Sequence, residues 1–495
     1  MKKHIISYSF LLAGLMIIGS ITSCKKDYLD INSNPNNPSD VTVVELLPSA
    51  QAAIAHVVGN HYQIYGGIWG QYWTQSPSSS QYKVVENYSP GANEFDRPWR
   101  ILYSGALQDL SVIIEKSTAE NRVNYIAVAK ILQAYTFQLL TDGFGDIPFS
   151  DALQAKSDIL SPHYNSQHDV YHGIIDLLKE ADALIDENSE FHPHDEDMIF
   201  HGDMFFWRIF GNTLRLRAYL RLAYVDAAEA QNGIAELEAS GAEFMIEGDA
   251  AQINYTTDGG NTNPLYSSIV GLSFVQNLVA SATGMNFLLD HNDERTFVFY
   301  ESSQNGSYVG IPQGAYNLPA GTQTSYPGVA TGGYDDPASA TAPVKLMTGY
   351  ESLFLQAEAV ARGWMSGDDQ GLYETAIIDN FESYGLTNGE GIAYLTDSAN
   401  LLDPLVSYPA SGTMEDKIKT IITQKWIAMC GNSGIEGWTE WRRTGYPDFF
   451  VESANSIIGA GRFPARFFYP TDEVNRNANF PGQKLVYEKV WWDVN

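Results

Sequence analysis

Residues 62–82 read YQIYGGIWGQYWTQSPSSSQY and set Tyr62, Tyr65, Trp69, Tyr72, Trp73 and Tyr82 among Gly, Gln and Ser. Aromatic planes stack on the apolar C–H faces of sugar rings, and nearby amides and hydroxyls pair with the ring hydroxyls. The segment therefore holds both ingredients of polyol recognition. Packing is the competing assignment, because positions 65, 69, 72 and 73 share one helical face and would point into a core. The stretch from Trp73 to Tyr82 is loop-like and escapes that objection. Other chemistry is sparse. There is no G-x-S-x-G elbow, P-loop, H-E-x-x-H or C-x-x-C. Cys430 ends an amphipathic pattern beside Met429 and reads as a packed core thiol. His192, His194 and Asp195 in FHPHDED have metal-binding atoms, but no further ligand set accompanies them, so the segment reads as a solvated acidic loop. No metal and no cofactor is expected. Carboxylates are plentiful, yet no spacing picks out a catalytic pair. Glu358, on an apolar helix, reads as the partner of an arginine or as a backbone cap.

Cys24 carries a different chemistry. It follows a basic head at Lys2 and Lys3, an apolar run from Phe10 to Ile18, and small residues up to Ser23. This is the build of a secretory signal peptide, and the run is shorter than the ~20 residues that span a bilayer. Ending on a cysteine, the segment resembles a bacterial lipobox, with Ile21 and Ser23 at positions where Leu and Ala or Gly are usual. That resemblance implies a lipidated Cys24 as the first mature residue; the alternative is an ordinary signal peptide with an incidental cysteine. Residues 1–23 are thus assigned as signal peptide and 24–40, rich in Asn, Pro and Ser, as a lipidated tether.

The elements that must hold the aromatic segment are mostly helical. The chain has 29 Lys+Arg against 59 Asp+Glu, a net charge of −30, which repels nucleic acid. With Cys24 lipidated, no intrachain disulfide is available, so the core must hold the body together. Helical periodicity predicts four hairpins, at 94–142, 166–231, 344–385 and 413–444, with 203–231 and 344–364 each read as one helix. Ser166 with Asp169 and Thr413 with Asp416 have capping spacing. Between them, about 232–343 is dense in Gly, Asn, Ser, Thr, Pro and Tyr and reads as long loops with short strands, the kind of segment that carries function. Stacked hairpins suggest a tetratricopeptide-like scaffold, although no 34-residue consensus recurs. Residues 41–495 are read as a single all-α domain with a loop-rich insertion.

Several blocks then resemble one family in order along the chain: AKILQAYTFQLLTDGFGDIPFSDAL, FHGDMFFWRIFGNTLRLRAYLRLA, LMTGYESLFLQAEAVARGW, IITQKWIAMCGNSGIEGWTEWRRTGYP and FPARFFYPTDEVNRNANF. They resemble the SusD/RagB family of Bacteroidota outer-membrane lipoproteins. The resemblance implies tetratricopeptide-like helix pairs with a loop-rich ligand face and no catalysis. It implies a lipid-anchored, surface-facing protein that binds oligosaccharide and delivers it to a SusC-like TonB-dependent transporter. A peptide ligand on the same fold is the alternative, and an all-helical glycoside hydrolase a more distant one. The signature residues Gly143, Gly145, Asp146, Pro148, Trp426, Trp438, Trp441, Arg442, Arg443, Pro464, Arg466, Tyr469 and Pro470 are read as structural. Ligand residues vary within the family and no motif transfers them. The binding candidates rest on local chemistry: Trp69, Trp73 and Tyr82, with Asn263, Tyr308 and Tyr316 from the middle loops.

Overall fold

Short polar side chains start the long helices. In the computed structural model, which describes residues 41–258 and 260–495, Ser166 Oγ accepts from Asp169 N at 3.2 Å and opens helix α5 (Gln167–Leu184). Asp203 caps α6 (Met204–Arg221), Thr348 caps α10 (Gly349–Ala361), and Thr413 and Asp416 bond reciprocally at the start of α13 (Met414–Ala428). The signal-peptide, Cys24 and tether assignments lie outside the described residues. Val43–Asn495 cluster as one compact unit.

The described residues open with α1 (Val43–Val57) and, after the π-helical turn Val58–Tyr62, α2 (Gln63–Trp69). Helices α3 (Gln108–Ala119) and α4 (Val123–Phe144) form the first long hairpin, and α4 is buried along nearly its whole length. The α5–α6 pair follows, then α10 with α11 (Asp369–Glu382), then α13 with α14 (Gly434–Thr444). These are the four predicted hairpins, stacked as tetratricopeptide-like pairs. Among the described residues no helix is long and apolar enough to cross a membrane.

Two segments differ from expectation. The predicted helix 203–231 breaks after Arg221, and α7 (Ala227–Ala239) restarts from Asp226, whose carboxylate accepts from Glu229 N at 3.1 Å. The predicted helix 344–364 opens as a strand, β8 (Val344–Thr348), all five residues of which are buried. It pairs antiparallel with β4 (Ala250–Ile253) and so ties the middle loops to the scaffold. The middle loops also hold short helices, α8 (Pro264–Gly271) and α9 (Ala282–Asp290). The remaining labelled helices are α12 (Asn388–Thr396) and α15 (Thr471–Arg476).

A buried ionic network binds the hairpins together. Arg221 on α6 reaches Glu436 at 2.8 Å and also pairs with Glu440 on α14. Arg217 reaches Glu351 of α10 at 3.0 Å, and Lys425 of α13 reaches Glu436 at 3.0 Å. Arg443 pairs with Glu358 at 2.6 Å and with Glu440, and Glu358 also receives Arg362. Glu358 is thus the arginine partner its apolar surroundings suggested. Cys430 is buried, and burial pushes its thiol up to about 12, so it sits in the core as a neutral SH.

The signature turn docks the tail. Gly145 adopts φ +79, a conformation open to glycine, and a side chain at Gly143 would strike Phe467 at 2.6 Å. Asp146 O accepts from Tyr469 Oη at 2.7 Å, and Arg466 donates to Phe144 O. Arg442 lies between the rings of Trp438 and Trp492, at 3.5 and 4.7 Å from their centroids.

Candidate functional site

Strand pairing carries the 73–82 stretch to the middle loops. Strand β1 (Trp73–Gln75) pairs antiparallel with β5 (Leu278–Ala280), Trp73 opposite Ala280 and Gln75 opposite Leu278. Ser76 N then donates to Asn277 O at 2.7 Å, and Gln81 N to Asn277 Oδ1 at 3.0 Å. On its other side β5 takes Ala280 N to Ser325 O at 2.9 Å, beside β7 (Tyr326–Pro327), which pairs with β6 (Tyr300–Glu301). Four loops remote in sequence therefore meet at one place.

They enclose a cleft of about 200 Å³. Ser76, Ser78 and Ser79 form one wall, Gln276 and Gln304 another, and Gln323 and Tyr326 a third. Tyr326 is half-buried and its ring lies 5.7 Å from that of half-buried Tyr334. The Gln276 amide donates to Leu278 O and Gly333 O, which leaves its Oε1 without a protein partner. Hydroxyls and neutral amides beside an aromatic pair bond a neutral polyhydroxylated ligand; no charged side chain enters this lining.

None of the six sequence candidates lines this cleft. Trp69 is 3 % exposed, donates its indole N–H to Val85 O at 3.0 Å and packs on Trp438 and Phe467. Trp73 is fully buried against Gly67, where an added Cβ would meet its ring at 2.4 Å. Neither indole presents a face to solvent, because the helical face shared by 65 and 69 points inward and β1 is covered on both sides. Asn263 is 2 % exposed and caps α8, accepting from Leu265 N at 2.8 Å and donating to Ala342 O at 2.9 Å. Tyr308, Tyr316 and Tyr82 are half-buried on the loop face. Tyr308 stands edge-on to the exposed Phe297 at 4.9 Å, and Lys83 sits 5.1 Å over the Tyr316 ring. A wider cleft of about 500 Å³ between α14 and the tail, beside Trp441 and Tyr487, contains none of the six.

A family profile described as starch-binding and associating with the outer membrane matches residues 35–470. The chain belongs to this SusD-like family. No curated protein matches it in sequence. Among solved structures, a chitin-binding SusD homologue from Flavobacterium johnsoniae is 25% identical, with a TM-score of 0.76 over 92% of this chain and 97% of that one. A SusD homologue from Bacteroides fragilis is 25% identical, with a TM-score of 0.71 over 92% and 99%. A Bacteroides uniformis homologue at 23% identity has a TM-score of 0.76 over 92% and 100% and shares the fold.

In this SusD-like protein the residues that line the cleft come from four separate loops. Gln276, Gln304, Gln323 and Tyr326 carried no individual signal in the sequence. Only the amide- and tyrosine-rich composition of the middle region pointed at them.

One buried acid holds the cleft wall. Glu86 is fully buried; its Oε2 accepts from Gln75 N at 3.0 Å and its Oε1 from Gln313 Nε2 at 2.6 Å. Burial raises its pKa to about 7 from an ordinary 4.5, against the pull of these hydrogen bonds. Below pH 4.5 the carboxyl is protonated in both folded and unfolded chains. As pH rises toward 7 the unfolded chain releases its proton first, so stability falls across that window and levels off above it. Glu86→Gln is expected to remove this fall, a relative gain of about 3 kcal/mol at pH 8 over pH 4.5. Urea unfolding of both proteins at the two pH values checks it, and parallel curves would refute the assignment.

Proposed function

We propose that this protein is a cell-surface glycan-binding lipoprotein, held in the outer membrane through Cys24, which captures oligosaccharide at the loop-face cleft and delivers it to a SusC-like TonB-dependent transporter. The observation that carries the reading is the meeting of Ser76–Ser79 with the 276, 304 and 323–326 loops around a neutral, amide- and hydroxyl-lined cleft with Tyr326 in its wall. Membership of a family described as starch-binding, and similarity to a chitin-binding homologue, support the glycan class. The role is capture: the cleft lining has no carboxylate to act as acid, base or nucleophile on a glycosidic bond.

Calorimetric titration with malto- and chito-oligosaccharides, alongside mixed peptides, tests the reading. Tyr326→Ala is expected to weaken glycan binding by about 2 kcal/mol, roughly 30-fold, as truncation of a central aromatic contact does. Unchanged affinity in that variant would remove the cleft from the binding surface. Binding of peptides and of no glycan would move the ligand to the peptide class, and release of shortened glycan would make the protein a hydrolase.

A further inference from the structure

A second cleft, of about 390 Å³, lies on the other side of the same loop. Where Ser76, Ser78 and Ser79 wall the first cleft, Gln81 and Tyr82 wall the second; where Gln276 walls the first, Gly271 and Leu272 wall the second. The two chain segments between them, held together through Asn277, form a ridge. Its crest is exposed at Ser78, Ser80 and Gln81 and at Ser273, Phe274 and Val275. Phe274 is 51 % exposed and, like Ser273, has positive φ (61° and 58°), an unusual setting for a bulky residue that leaves its ring at the crest.

The second cleft shares hydroxyls, an amide and a tyrosine with the first, at Ser267, Ser268, Gln81 and Tyr82, and differs in carrying Glu94 and Arg97. Tyr82 is half-buried in it, and Glu94 and Arg97 are part of its lining. Within the lining, Tyr65 is buried with its phenol turned to Glu94. His61 is neutral there, since burial, then Arg97 and His56, push its pKa down to about 4. The Tyr82 ring offers a stacking face, and the Gln81 amide and the Ser267 and Ser268 hydroxyls offer hydrogen bonds to a sugar.

We propose that the two clefts are adjacent subsites of one surface, so that an oligosaccharide of several units crosses the Phe274 ridge and occupies both; the proposal rests on the glycan reading above. A short sugar fills the polar cleft alone, and a longer chain gains the second cleft as an intramolecular contact.

The test compares two-unit and six-unit malto- and chito-oligosaccharides on the purified protein by calorimetry. The six-unit chain of the recognised series is expected to bind at least about tenfold tighter than the two-unit sugar. Gly271→Trp fills the second cleft from a position whose Cβ meets nothing within 4 Å, and so spares the fold. Tyr82→Ala removes the aromatic wall. Each is expected to reduce the six-unit affinity to the two-unit level while leaving the two-unit sugar unaffected. A six-unit advantage that persists in both variants, no advantage in the unaltered protein, or loss of the two-unit sugar in either variant overturns the proposal and leaves the glycan reading standing. Failure of every chain to bind the unaltered protein removes both.

Discussion

Arg443→Met is expected to lower stability by about 3–5 kcal/mol, the cost of stranding buried carboxylates. Arg443 is fully buried and is shared by Glu358 at 2.6 Å, Glu440, and the Leu220 carbonyl at 3.2 Å. Burial alone would push Glu440 up; Arg443, then Lys425 and Arg221, outweigh it and hold the carboxyl well below the usual range. Glu358 is lowered in the same way, against burial, by Arg443 and then Arg362. Removing Arg443 leaves both acids with fewer cations than they were buried to meet. Urea unfolding reports the change, and a loss under about 1 kcal/mol would show that Arg221, Lys425 and Arg362 suffice. The double variant Arg443→Met, Glu440→Gln is expected to recover part of the loss, because it removes one of the two stranded charges.

Gly66→Ala is the second large effect. Helix α2 meets the start of α14 backbone to backbone: a Cβ on Gly66 would lie 2.0 Å from Ile435 N and 2.2 Å from Gly434 C. No rotamer change relieves a clash with backbone, so the two helices must separate. The expected cost is at least the upper end of the 1–3 kcal/mol typical of overpacking, about 3 kcal/mol. Because α2 leads directly into β1, glycan affinity is expected to fall with stability. Gly271→Ala, in open space on α8, is the control and is expected to change stability by less than about 1 kcal/mol. Equal thermal midpoints for Gly66→Ala and the unaltered protein would contradict the close approach.

The scaffold was legible because its signals are local. Ser166 with Asp169 and Thr413 with Asp416 mark helix starts within one turn, and the α13–α14 connection is short. The break after Arg221 was missed although Asp226 with Glu229 has the same capping spacing, because helix-favouring residues run on both sides of it, LRLAY before and AAEAQ after. The site was legible as a region and not as residues. Periodicity shows that Tyr65 and Trp69 share a face; it does not say whether that face meets solvent or Trp438 and Phe467. Trp73 is buried because β1 pairs with a strand some 200 residues away, and that register has no local signature. The same pairing builds the cleft, so its lining was out of reach of any motif.

That backbone-to-backbone seam between α2 and α14 also sets an order of events during synthesis. Gln63 accepts from Gly434 N across 371 residues of chain, and Tyr72 Oη donates to Trp426 O across 354. At ~5–20 residues per second the second half of this seam emerges roughly 20–70 s after the first. Through that interval Tyr65 and Trp69 of α2 can meet early partners such as Phe95 and Val85 O, while the α14 side of the seam is still to come. Trp438 and Phe467, the last partners of Trp69, also lie near the end of the chain, so this seam is among the last parts of the core that can close.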